Sequence, residues 1–148
     1  MLNETLKSLF KRDLTKLKEE IGAYQKERNI WLVADGISNS AGNLCLHLTG
    51  NINGFIGAQM GKTGYVRQRD LEFSLKDVPR AELIQKIEDT IVMVDSVLDS
   101  ITTEQLEALY PMEVFGHPMT TEYFLVHLAT HLDYHLGQVN YHRRLLDK

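Results

Sequence analysis

Apolar residues return at steps of three or four in four separate stretches of the chain, and this spacing predicts four helices. In the first, Leu6, Phe10, Leu14, Leu17, Ile21 and Tyr24 mark one face, with Lys and Glu between them. The second begins after Ser38 and reads SAGNLCLHLTGNINGFIGAQM, with Leu44, Leu48, Ile52 and Phe55 as its stripe. The third follows KDVPRAEL, where Asp77 suits a cap and Pro79 a first turn. Leu83, Ile87, Ile91, Val94, Leu98 and Ile101 trace its face. Thr120 or Thr121 suits the cap of the fourth, whose Phe124, Leu128, Leu132, Leu136 and Val139 run almost to the last residue.

The connections are long. Residues 25–37 join the first pair and carry the only tryptophan, Trp31; residues 61–78 separate the second and third helices and include EFSL, too short for a sheet of its own. Residues 102–119 read as a short helical turn, TTEQLEAL, followed by an extended YPMEVFGHPM. No sustained alternation, internal repeat or low-complexity tract appears. The expected architecture is all-α, a four-helix bundle with long connections, formed by residues 1–148 as one domain.

Gly50, Gly54, Gly57 and Gly61 also fall at helical spacing in the second helix. Interior glycines cost about 1 kcal/mol each relative to alanine, so two readings stand. Either the helix frays or ends near Gly57, or the glycines form a flat strip where another helix or a dimer partner comes close.

Composition narrows the function classes. With 148 residues, 43% hydrophobic and 24% charged, the chain is globular, and a net charge of −4 argues against a protein that coats nucleic acid. The basic run KSLFKRDLTKLK is diluted by Glu4, Asp13, Glu19 and Glu20 and reads as a solvated face. Cys45 is the only cysteine, so neither an internal disulfide nor a thiolate cluster is available. No signal-peptide pattern and no apolar stretch of ~20 residues occurs, so no membrane association is expected and a reducing, cytoplasmic setting is.

The chemistry concentrates in THLDYHLGQ, residues 130–138. His131 and His135 stand four apart and aim at a common point from one helical face, the arrangement a divalent ion needs from two imidazoles. A third ligand must come from elsewhere, and His47, inside the apolar second helix, is the leading candidate. Asn43 and Asn51 lie one turn either side of it and suit ordering a water or fixing the ring's tautomer. The zinc-protease pattern HExxH is absent: Leu132 fills the glutamate slot, and Asp133 faces the other way. The Glu-x-x-His pairs of di-iron bundles are missing too, as are a serine-nucleophile elbow, a phosphate-cradling loop and a dinucleotide fingerprint. Cys45, two residues from His47, points elsewhere and reads as core.

With HLTGNI in the second helix and HLATHLDYHLGQ in the last, in that order and at that separation, the whole chain resembles the DinB/YfiT-like proteins. The resemblance implies a four-helix bundle with a divalent metal (zinc, nickel or iron) between the second and fourth helices. Its ligands would be His47, His131 and His135, followed by Gly137 and Gln138, with His127 beside them. One departure is Leu136, where many relatives have arginine before Gly-Gln. The run VRQRDLEF (Arg67, Arg69, Asp70, Glu72, Phe73) looks like a stretch shared by one branch whose activity has not been assigned. The resemblance further implies a homodimer acting in stress or detoxification, and an enzyme that transfers a low-molecular-weight thiol, such as bacillithiol or mycothiol, to an electrophilic small molecule.

Three neutral imidazoles leave such an ion its full charge and a free position, as in catalytic zinc sites. Two chemistries follow, hydrolysis by an activated water or transfer of an activated thiol. With no carboxylate base evident beside the ligands, thiol transfer is the expectation and metal-dependent hydrolysis the alternative. In that scheme Asn51, His127 and Gln138 tune the metal ligands, Tyr134 and Trp31 line the pocket, and Arg67 and Arg69 meet an anionic thiol cofactor. A non-catalytic bundle, with the metal bracing the second helix against the fourth around a small ligand or protein partner, is the competing class.

Overall fold

The computed structural model describes residues 1–148 and is all-helical, without a strand. Four helices are long: α1 (Leu2–Ala23), α2 (Ala41–Ile52), α4 (Arg80–Asp99) and α6 (Thr121–Leu146). Two are short, α3 (Arg69–Ser74) and α5 (Thr103–Glu107). α1 packs on α4 and α6, and α2 lies against α3, α4 and α6. One hydrophobic cluster draws on all four long helices, from Leu6, Phe10 and Leu14 through Leu48 and Ile52 to Ile87, Phe124 and Leu132. No helix is long and apolar enough to cross a membrane.

Local signals explain the boundaries. Ser40 caps α2 by accepting a hydrogen bond from the Asn43 backbone N–H, and Thr120 caps α6 through Tyr123 N–H. Thr102 and Gln105 form a reciprocal capping box on α5, where the sequence shows a helical turn. Asp77 is not a cap: it sits at φ +57°, Pro79 holds the N-cap position of α4, and Glu27 from the first connection accepts the Arg80 N–H instead. EFSL belongs to α3, and the stretch after α5 bends back through Gly116 so that Leu109 bridges Thr120. The basic run on α1 is a paired, solvated face, with Lys7 bonded to Asp99 and Lys18 near Glu88.

α2 is buried along its whole length and continues beyond Ile52 as a π-helical turn, Asn53–Ala58, so the helix ends one residue after Gly57, as one of the two readings expects. The glycine face is covered by the chain itself. A Cβ on Gly50 would meet Glu72, on Gly54 Arg67, on Gly57 Thr63 and on Gly61 Val97. The strip is therefore the seat of residues 63–72 and of α4, not a surface left open for a dimer partner.

Candidate metal centre

α2 and α6 bring His47, His131 and His135 together, with one ring nitrogen from each within 4.8 Å of the others. The rings do not stack. His131 and His135 meet at 87° with centroids 4.6 Å apart, and His47 stands at 77° to His131 and 90° to His135.

His47 Nε2 and His131 Nε2 are 3.3 Å apart. Two imidazole nitrogens held about 2.0–2.1 Å from one tetrahedral zinc ion are about 3.3–3.4 Å apart, so this spacing suits a shared cation.

The tautomers agree with that reading. His47 Nδ1 lies 3.0 Å from Glu72 Oε1. An ionised carboxylate only accepts, so Nδ1 carries the proton and donates it, leaving a lone pair on Nε2. His135 Nδ1–H donates to Gln138 Oε1 at 2.6 Å, which frees the Nε2 lone pair of that ring as well. Burial foremost, and then the neighbouring His135, His47, His127 and Arg67, push His131 down to about 4. Burial also lowers His135, against the Gln138 hydrogen bond. Both rings are thus neutral at physiological pH, the form that ligates.

Glu72 is the residue that helical periodicity does not reveal. Burial works to raise its carboxyl group. Hydrogen bonds from His47 and Arg67, with the guanidinium's charge, outweigh burial and hold it below the usual carboxylate range. Arg67 grips it with Nε and a terminal nitrogen, both at 2.9 Å. Asn43 fixes the segment that carries it: the side-chain amide donates to the Glu72 carbonyl at 2.9 Å and to the Leu75 carbonyl at 2.8 Å, satisfying the C-terminal end of α3. Lys76 Nζ in turn donates to Asn43 Oδ1. A carboxylate orienting a ligating histidine is the usual outer partner in metal sites. The expectation that no carboxylate stands beside the histidines is thereby corrected, although this one is fully engaged. The clue in the sequence was Gly50, one turn from a buried His47, which makes room for a side chain from elsewhere.

The other expected site residues divide. Gln138 holds His135. Asn51 is buried one turn beyond His47, and its Oδ1 receives no hydrogen bond. His127 is not in the converging set. Its ring stacks on Phe124 at 9°, meets Phe115 edge-on and stands 6.1 Å, centroid to centroid, from His131. Tyr134 is 66% exposed and meets His135 edge-on, a position at the rim. Trp31 is core and not pocket lining: its ring lies so close to α2 that a Cβ on Gly42 would come within 2.7 Å of it. Arg67 is committed to Glu72 and lies over the Phe55 ring, which corrects its reading as a cofactor ligand. Arg69 is exposed, with its guanidinium over Phe73, and Phe73 packs on His47. Cys45 is fully buried and its thiol is pushed up to about 12 by burial, the state of a core residue.

No curated protein matches the chain. Residues 3–148 match the family described as "protein of unknown function (DUF1572)", and the chain belongs to that family.

Proposed function

We propose that this protein is a divalent-metal-dependent enzyme of the DinB type, its four long helices forming the bundle of that group. In this reading it transfers a low-molecular-weight thiol to an electrophilic small molecule. The observation that carries the reading is the convergence of three imidazoles from α2 and α6 with no carboxylate among the converging atoms. A divalent metal held by such a set keeps its full charge, acts as a Lewis acid and favours the ionised form of a thiol that meets it.

The chain's own residues supply the rest. Glu72 sets the His47 proton on Nδ1, and Gln138 does the same for His135, so both rings present lone pairs without reorganisation. Arg67 occupies both oxygens of Glu72, which leaves that carboxylate unsuited to take a proton from water. Because a metal activates water and thiol alike, the preference for thiol transfer over hydrolysis rests on the resemblance to thiol-transferring proteins. Phe73 against His47 and Tyr134 against His135 provide apolar and amphipathic walls for an electrophile.

The test offers metal-loaded protein a panel of thiols with monobromobimane or 1-chloro-2,4-dinitrobenzene, beside a His135→Ala variant. Faster thiol consumption by the wild type supports transfer. Hydrolysis of ester or amide substrates without thiol consumption would replace it by a metal-dependent hydrolase. Neither activity would leave a bundle in which the metal braces α2 against α6.

A further inference from the structure

A cavity of about 320 Å³ opens between the turn that follows α2, the C-terminal end of α4, and α5, and it shares no residue with the histidine cluster. Its volume lies at the lower end of the about 300–1,000 Å³ that ligand pockets span. Met60, Val97, Ile101 and Leu109 give it apolar walls. Leu109 stays 65% exposed although its backbone is fixed by the bridge to Thr120. The wall hydroxyls are spent inside the fold: Ser100 donates to the Val97 carbonyl and Thr121 to the Ala108 carbonyl. The polar groups left to a ligand are those of Gln59, Gln105 and Lys62. Gln105 Oε1 accepts the Thr102 N–H and hydroxyl, which leaves the Nε2–H groups for another acceptor. Lys62 is exposed and belongs to no ion pair.

Lys62 also holds a backbone conformation that a lysine disfavours. Its φ is +52°, in the left-handed region, where the Thr63 N–H returns to the Gly57 carbonyl as the helix ends. Glycine is the usual residue at such an ending. Gly61, just before it, runs so close to α4 that a Cβ would lie 2.5 Å from Val97, which pins the segment to the cavity wall. A strained, unpaired lysine on the wall of an apolar cavity points to a use for its ammonium group. We propose that this cavity binds a small amphipathic carboxylate, with Lys62 and the Gln105 amide holding the charged end and the apolar walls its alkyl part. One cation beside neutral amides matches a single negative charge, whereas a phosphate dianion calls for more. The site is independent of the metal reading and stands or falls without it.

The experiment titrates full-length, nitrogen-15-labelled protein with hexanoate and with 1-hexanol, its uncharged counterpart, and reads dissociation constants from amide chemical shifts. The wild type binds hexanoate about tenfold more tightly, the effect of one charge-assisted hydrogen bond, although the alcohol is the more apolar. The shifting amides lie in residues 59–62, 97–101 and 105–109. Lys62→Gly loses the preference, and it melts no lower than the wild type because glycine suits the left-handed backbone. A wild type that shows no saturable hexanoate binding, or that prefers 1-hexanol, overturns the proposal. An unchanged preference in Lys62→Gly does so too, and leaves the lysine a helix-ending residue only. Shifts centred on the histidines instead would put the carboxylate at the metal site and equally sink the idea.

Discussion

The carboxylate of Glu72 occupies the space that a side chain on Gly50 would fill: a Cβ there would lie 2.0 Å from Oε2 and 2.7 Å from Cδ. A carboxylate at the end of a flexible chain can swing away, but this one is held by His47 and by two bonds from Arg67. Gly50→Ala therefore leaves the helix intact and costs the site its grip on His47. Gly50→Ala and Glu72→Gln each weaken zinc affinity by about 10–100-fold, the usual cost of losing an outer carboxylate. Because both act on one interaction, the double variant is no worse than the weaker single one. Competition with a chromophoric chelator measures all three, and additive losses would show that Gly50 and Glu72 act separately.

Removing Arg67 leaves the Glu72 charge buried with only His47 beside it. Arg67→Met lowers the stability of the metal-free protein by about 2 kcal/mol, less than for a fully buried pair because the guanidinium is partly exposed. A bound cation compensates the carboxylate through His47, so zinc raises the melting temperature of this variant by more than it raises that of the wild type. Differential scanning calorimetry with and without zinc reads both numbers; an equal rise in the two proteins contradicts the charge argument.

At the far end of α6, His142 ties three segments together. Its Nε2–H donates to the Leu32 carbonyl at 2.8 Å, and its Nδ1 accepts from the Tyr24 hydroxyl at 2.6 Å. Burial lowers this imidazole, against the pull of the Leu32 carbonyl. Its folded pKa lies below the unfolded value of about 6.5, so the unfolded chain takes up the proton first, and stability is lost as pH falls below that value. Chemical denaturation of metal-free protein between pH 7.5 and 5 shows a falling midpoint, and His142→Gln flattens part of that slope. His131 and His135, lowered in the same sense, supply the remainder. A slope unaffected by the substitution would mean that His142 has the same pKa in the folded and the unfolded chain.

How far the sequence revealed this molecule depends on how local each signal was. The stripes from Leu6 to Tyr24 and from Phe124 to Val139 place α1 and α6 because an amphipathic helix writes its buried face into its own spacing. The His131–His135 pair was legible for the same reason, and His47 stood out as a polar residue in an apolar helix. Glu72 was not, since its role comes from the path of residues 61–76, which no periodicity encodes. The same blindness misassigned Arg67 and Trp31. Each is chemically suited to a pocket, yet one is bound to a carboxylate and the other packs on Gly42. The glycine series was visible as a pattern, but what covers it was decided by tertiary packing.

The most direct test of the account is the metal content of the purified full-length protein after exposure to excess zinc and exhaustive dialysis. The account predicts one divalent ion per chain in the wild type and none retained by His47→Ala or His131→Ala, with helical content unchanged. Wild-type protein that holds no stoichiometric metal, or variants that hold as much as the wild type, would contradict it.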